Sequence, residues 1–198
     1  MIINKVEYKY ICRVFIVILL SLFLASCSKK ANLDGVDLKN GCQILEYNPN
    51  WVEILKQTNA QNGVPSSFIL AVIYQESKFN SSAKNKNSSA YGYAQVIDGT
   101  WKSYEKHIGH NANRDNFNDS VKFISWYFGY LKNKFNLKWN DKKDLYMAYI
   151  LGEGGYKKYL SGHSNIRGIS YAKKVSLNVS KLSLLYHNQL IDCKYFKQ

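Results

Sequence analysis

The stretch from Ala71 to Trp101, AVIYQESKFNSSAKNKNSSAYGYAQVIDGTW, continues a strongly apolar segment and turns polar at Glu76. The six residues 68–73 are all apolar, and Leu70 and Ile73 recur at helical spacing. This pattern predicts a buried helix that carries a carboxylate near its end. A polar loop and a compact turn follow, so the acid lies where a core helix meets an irregular segment.

Glu76 is the candidate catalytic residue. A carboxyl group at the end of so apolar a helix is partly removed from water, which raises its pKa because the charged form loses solvation. The protonated form is the one that a general acid needs. The alternative is a solvated glutamate at a helix end, and spacing alone favours that alternative.

Three blocks of residues carry a resemblance to a known family. Glu76-Ser77 is followed by Phe79, Ala83, Ala90-Tyr91-Gly92, Gln95 and Thr100-Trp101, and later Ala148-Tyr149 is followed by Gly152 and Gly154-Gly155-Tyr156. In this order they resemble the soluble-lytic-transglycosylase (SLT) domain, a goose-lysozyme-like group of enzymes that cut bacterial peptidoglycan. The resemblance covers roughly residues 45–193. It implies a mainly α, lysozyme-like single domain.

The family's route to cleavage uses one acid and no cofactor. The resemblance implies that Glu76 protonates the oxygen between N-acetylmuramic acid (MurNAc) and N-acetylglucosamine (GlcNAc). The same residue then takes the proton of the C6 hydroxyl, which closes a 1,6-anhydro ring. This lyase reaction needs a positioned carboxyl in a dry cleft rather than a second carboxylate.

The resemblance also assigns substrate-binding roles. Ser77 would help to hold the acetamido group or the stabilising network, and Gln95 would end a turn packed behind the acid. Gly92 would allow the chain to approach the cleft closely, and the Tyr149 hydroxyl would bond near the catalytic carboxyl. Further tyrosines are predicted walls for sugar rings, with buried core residues as the alternative: Tyr91, Tyr93 and Tyr156.

The chain departs from the family pattern in two places. Tyr93-Ala94 stands where many relatives have leucine-methionine. In the third block, Ile150 stands where asparagine or histidine is common, and Leu151-Gly152 stands where a glutamate-glycine pair often follows. Glu153 is the nearby carboxylate that would permit goose-type hydrolysis if it reached the cleft, although a capping or surface glutamate is the simpler interpretation. The altered third block also leaves open a non-catalytic peptidoglycan-binding or assembly lipoprotein.

Composition limits the partners. The 198 residues include 27 Lys and Arg against 14 Asp and Glu, a net charge of +13, which suggests an anionic partner or a soluble lysine-rich surface. Only three residues are arginine and no nucleic-acid motif is present, so nucleic acid is not expected. The four histidines and the cysteines show no metal-ligand spacing, so no metal site is predicted.

The N-terminus has the pattern of an export signal. Residues 1–26 combine basic residues with the apolar run 14–24, which is short for a spanning helix. Leu24-Ala25-Ser26-Cys27 resembles a bacterial lipoprotein box with Cys27 as the acylated residue, and Ser28 after it resembles sorting to the outer membrane, facing the periplasm. An uncleaved membrane anchor is the alternative. Residues 27–41 would form a lipidated tether to the membrane.

The remaining cysteines lie at the two ends of the predicted catalytic domain, residues 42–198. In an oxidising compartment Cys42 and Cys193 are a plausible disulfide pair, with two unpaired thiols as the alternative.

Helical periodicity and end signals predict the remaining architecture. Strand signals are nearly absent from the sequence. Helices are expected after Asn48-Pro49 to about 62, around Glu76, from Asp98 to Gly109, from 117 to about 135, from Asp141, and along 172–193.

Overall fold

The computed structural model describes residues 33, 35–163 and 165–197. The predicted signal, Cys27 and the tether up to residue 32 lie outside the described residues. Within the described part the chain forms seven helices and no sheet, with two isolated bridges between residues 84 and 96. The helices are α1 Gly41–Tyr47, α2 Trp51–Asn62, α3 Ser66–Ser77, α4 Asp98–Ile108, α5 Phe117–Lys134, α6 Lys142–Leu160 and α7 Ile169–Ile191. The mainly helical prediction is confirmed.

Helix α3 lies at the centre of the core. Every residue from Ser66 to Ile73 is buried, on all sides of the helix rather than along one stripe. Helices α2, α5 and α7 pack against it. A helix that is apolar all round is stable only when it is surrounded in this way. The apolar run that precedes Glu76 therefore determines which helix the others enclose.

Two helix starts among the described residues have a side-chain cap, Asn40 for α1 and Asn116 for α5. Asn40 accepts hydrogen bonds from the N–H groups of Cys42 and Gln43, so it caps a short α1 that the periodicity did not reveal. Asp98 is the first residue of α4 rather than its cap, and its carboxylate pairs with Arg114 at 2.8 Å. An acid in the first turn still complements the helix dipole.

Helix α6 is bent at Gly152, whose φ of 67° and ψ of 170° lie outside the helical region. A residue with a Cβ atom rarely adopts this backbone conformation, so the glycine permits the bend. The segment before the bend carries Tyr146 and Tyr149 towards α3. The segment after it buries Tyr156 against Phe135.

Cys42 at the start of α1 and Cys193 beyond the end of α7 have their sulfur atoms 2.09 Å apart. The structure thus brings together the two ends of the domain that the sequence analysis proposed to pair. None of the helices in the described ranges is long and apolar enough to cross a membrane.

We expect the protein to carry this disulfide in an oxidising compartment. Because the pair closes a loop of about 150 residues, Cys42→Ser together with Cys193→Ser should lower the free energy of unfolding by about 2–4 kcal/mol. Urea denaturation of the oxidised protein and the double variant measures the difference. Alkylation of the denatured, unreduced protein at both cysteines would contradict the pairing.

Candidate active site

A groove of about 530 Å³ opens between the C-terminal end of α3, the loop 80–97 and the first half of α6. Glu76 contributes the only carboxylate among the described residues that line it. Aromatic and aliphatic side chains form much of the wall: Phe123, Tyr127, Tyr146, Tyr149, Ile150, Leu151 and Tyr171. The site therefore places a single acid in a groove with aromatic and aliphatic side chains in its walls.

The pKa of Glu76 is raised from 4.5 to about 7, chiefly because burial removes solvent from the carboxylate. A hydrogen bond from Tyr146 and the charge of Lys78 act in the opposite direction and lower the pKa. The position of Glu76 in the last turn of α3 also disfavours the anion, since the negative end of the helix dipole lies there. Both protonation states are therefore accessible near neutral pH.

The chain leaves α3 through a strained backbone. Lys78 and Phe79 both have positive φ, at 52° and 60°, a region that residues with a side chain seldom occupy. Phe79 is fully buried and stacks on Trp51 with ring centroids 5.9 Å apart. This packing holds the sharp exit in place directly after Glu76, and such strain is typical of functional sites.

The tyrosine that contacts the acid is Tyr146, which corrects the prediction for Tyr149. The Tyr146 hydroxyl donates to Glu76 Oε1 at 2.5 Å, whereas the Tyr149 hydroxyl donates to the carbonyl of Ala94 at 2.5 Å. The two rings stack 5.9 Å apart because they are one turn apart on α6. Tyr149 lines the groove and joins α6 to the loop, but it does not hold the carboxyl.

Gln95 lies in the groove lining, as part of the turn that the sequence predicts behind the acid. Its side-chain amide donates to the carbonyls of Ala83 and Gly92, at 2.9 and 3.0 Å. These bonds close the loop upon itself and hold Gln95 at a positive φ of 47°. Gln95 therefore has a structural role in shaping one side of the groove.

Gly92 permits a close approach, but to Arg114 rather than to the cleft. A Cβ atom at Gly92 would lie 2.0 Å from the carbonyl oxygen of Arg114. The Arg114 guanidinium donates to the carbonyls of Ser89 and Val96 at 2.9 and 3.0 Å. Arg114 thus ties both ends of the turn to α5, a role that the sequence did not indicate because its partners are backbone atoms.

Ser77 does not face the groove, which corrects its predicted contact with the acetamido group. The residue is buried and its hydroxyl donates to the carbonyl of Ile73 at 3.1 Å. Within a helix a serine readily bonds the carbonyl four residues earlier. Ser77 thus follows Glu76 in sequence but lies on the side of α3 that faces the core.

The three tyrosines predicted as walls for sugar rings lie outside the lining of this groove, and two of them match the alternative of buried core residues. Tyr93 is buried edge-on against Trp51 and Phe117, and Tyr156 is buried below the bend of α6. Tyr91 lines a separate surface cavity beside Arg114. The residues that do line the groove and that the sequence analysis missed are Tyr127, Tyr146 and Tyr171. Tyr146, three residues before Tyr149, was detectable as a neighbour on the same helical face.

A family model described as Transglycosylase SLT domain matches residues 15–193 of the chain. The chain belongs to this family. The match covers most of the sequence and begins inside the predicted signal. No curated protein matches the chain. Membership supports an enzyme of the transglycosylase type that acts on peptidoglycan, and it agrees with the helical fold.

Glu153 of this SLT domain lies outside the groove. Its side chain is exposed, bonds Lys134 at 3.0 Å and accepts a hydrogen bond from Tyr130. These donors lower the pKa of Glu153 and keep it ionised. The surface interpretation of this residue therefore fits the structure better than a second catalytic acid. Ile150, by contrast, lines the groove at the position where it departs from the family pattern.

Metal binding finds no support in the described ranges. No group of three or more His, Cys, Asp or Glu side chains comes together there.

Three of the predicted site residues line the groove: Glu76, Gln95 and Tyr149. The others lie outside its lining: Ser77, Tyr91, Tyr93 and Tyr156.

The raised pKa of Glu76 predicts a pH-dependent stability. The folded state binds this proton more tightly than the unfolded state, so the benefit is present at low pH and is lost between about pH 4.5 and 7. A shift of this size corresponds to about 3 kcal/mol. The free energy of unfolding of the wild type, relative to Glu76→Gln, should fall by about that amount between pH 4 and pH 8. A constant difference would contradict the assignment.

Two tyrosine variants test which hydroxyl contacts Glu76, with Tyr146→Phe as the test and Tyr149→Phe as its matched control. Tyr146→Phe removes a donor that favours the charged carboxylate, so the pKa of Glu76 should rise and the loss of stability should extend to higher pH. Tyr149→Phe removes the bond to Ala94 and should leave the midpoint of that loss unchanged. If the midpoint moved only in Tyr149→Phe, the original prediction for Tyr149 would stand.

Proposed function

We propose that this SLT-domain protein is a lytic transglycosylase that cleaves the MurNAc-β-1,4-GlcNAc bond of peptidoglycan and forms 1,6-anhydro-MurNAc. The observation that carries the proposal is a single carboxyl with a pKa of about 7 in a groove whose described lining holds no other carboxylate. Hydrolysis usually uses a pair of carboxylates. The groove supplies one, which suits the intramolecular route.

The first step would use Glu76 in its protonated form. Burial favours that form, and the proton passes to the glycosidic oxygen as the bond from MurNAc C1 to that oxygen breaks. The substrate's own acetamido group stabilises the oxocarbenium-like centre. The GlcNAc side then leaves with the proton on its new hydroxyl group.

The second step would use the carboxylate left behind. It accepts the proton of the MurNAc C6 hydroxyl while that oxygen bonds to C1 and closes the anhydro ring. Tyr146 donates to Glu76 and so favours the charged form between the two proton transfers. Ile150 and Leu151 present apolar surface to the groove and limit the access of competing water.

Glu76→Gln should lower the release of muropeptides from purified sacculi by at least about 100-fold, since it keeps the shape but removes the transferable proton. Glu153→Gln is the matched control, because that glutamate is exposed and outside the groove. Mass spectrometry of the wild-type products should show anhydro ends, each lighter by one water than a reducing end.

Other outcomes distinguish the alternatives. Reducing ends in place of anhydro ends would make the protein a goose-type muramidase. Unchanged release and phenotype in Glu76→Gln would favour a non-catalytic peptidoglycan-binding lipoprotein. Loss of activity in Glu153→Gln with retention in Glu76→Gln would transfer the acid role to Glu153.

We also propose that the protein is exported as a lipoprotein of the outer membrane, facing the periplasm, on the sequence Leu24-Ala25-Ser26-Cys27-Ser28. Two or more acyl chains on Cys27 would anchor it stably. Cys27→Ser should then abolish metabolic labelling with palmitate, while Cys12→Ser should not. Labelling that survives Cys27→Ser would contradict the lipid anchor.

A further inference from the structure

The outward face of α7 carries large apolar side chains that the core does not use. Leu177, Leu184 and Ile191 are 45%, 57% and 60% exposed. They are seven residues apart, two helical turns each, and so lie along one line on the helix surface. We call these three residues the outer stripe. The opposite side of α7 is buried against α3 by Ala172, Val175, Val179, Tyr186 and Leu190.

The charged side chains within α7 all have one sign. Lys173, Lys174 and Lys181 lie close to its line, and α7 contains no Asp or Glu. The first acid, Asp192, follows the last helical residue as the C-cap, and Lys194 comes two residues later. An apolar line flanked by lysines is typical of a helix that lies in the interface of an anionic membrane.

The segment that leads into α1 contacts the same helix, α7. The carbonyl of Leu38 accepts a hydrogen bond from Tyr186, and Gln189 bonds both the Lys39 carbonyl and the Gly41 N–H. In the proposed lipoprotein the acylated Cys27 lies eleven residues before Leu38. At full extension that interval spans about 40 Å at most. The contact at Leu38 uses Tyr186 on the buried side of α7, opposite the outer stripe, so the tether alone does not place the stripe on a membrane.

We propose that the outer stripe of α7 rests on an anionic lipid surface, with its three leucine and isoleucine side chains among the acyl chains and its lysines at the headgroups. A second copy of the chain fits this face less well. Pairing two such faces would bring the lysines of one copy close to those of the other, and α7 has no acidic residue to offset their repulsion. A glycan also fits less well, since aliphatic side chains offer no partner for sugar hydroxyls.

The consequence concerns the groove. Tyr171, in the first turn of α7, is part of the groove wall. A helix held on the lipid surface would therefore fix the orientation of the groove relative to the membrane. The tether alone would leave that orientation free. This inference does not depend on which bond Glu76 cleaves.

The test uses the full chain reconstituted in vesicles of phosphatidylcholine with or without phosphatidylglycerol. The photo-crosslinking amino acid p-benzoylphenylalanine is placed at position 184 or, as a control, at position 160. Leu160 is 58% exposed on α6 and is a matched leucine off the stripe. We expect at least about fivefold more lipid adducts from position 184 than from position 160 in the anionic vesicles.

Charge is tested in the same assay. Lys173→Gln, Lys174→Gln and Lys181→Gln together should lower the adducts at position 184 at least about fivefold, because each lysine near an anionic surface contributes attraction. Equal adducts at positions 184 and 160 would overturn the proposal. So would adducts that join two copies of the chain at position 184, or a triple lysine variant that labels lipid as strongly as its parent. Retained release of muropeptides from sacculi would show that the lysine variant is folded.

Discussion

The site depends on two effects that shift the pKa of the Glu76 carboxyl in opposite directions, burial and hydrogen bonding. Burial at the end of α3 removes solvent from the carboxylate and raises its pKa, while the Tyr146 hydroxyl and Lys78 stabilise the charge and limit the rise. The resulting value of about 7 lies where neither protonation state is strongly disfavoured. A residue that both donates and accepts a proton needs this balance.

The rest of the fold holds Glu76 and its neighbours in the positions that produce these two effects. The residues Ser66 to Ile73 of α3 are buried, and they anchor the last turn of the helix, which carries Glu76. The bend at Gly152 lets α6 direct Tyr146 to the acid and still bury Tyr156 beyond the bend. Arg114 fixes the turn that carries Gln95. Three separate elements thus meet at one carboxyl, each held by contacts away from the groove.

The sequence predicted six of the seven described helices, and a carboxylate near the end of α3, because both are local signals. An apolar run with helical spacing identifies α3, and Glu76 is the charge that interrupts it. The remaining site residues depend on which face of an element turns to the groove, and spacing along the chain does not settle that question for a helix buried all round. The predictions for Ser77 and Tyr93 failed to place them for this reason. Ser77 faces the core, and Tyr93 packs against Trp51 and Phe117.

Long-range contacts account for the other differences. The choice between Tyr146 and Tyr149 depends on which turn of α6 lies next to Glu76, and no local pattern encodes that placement. Tyr171 reaches the groove only because α7 packs against α3. The clamp by Arg114 joins a side chain to carbonyl groups about twenty residues away, and backbone acceptors carry no signature in a sequence.

The most direct measurement is the titration of the Glu76 carboxyl itself in the wild-type protein. Carbon-13 NMR of protein labelled at the glutamate side-chain carboxyl, with Glu76→Gln used to assign the resonance, gives its midpoint. The account predicts a midpoint near pH 7. A midpoint near 4.5, the value of a solvated glutamate, would contradict it.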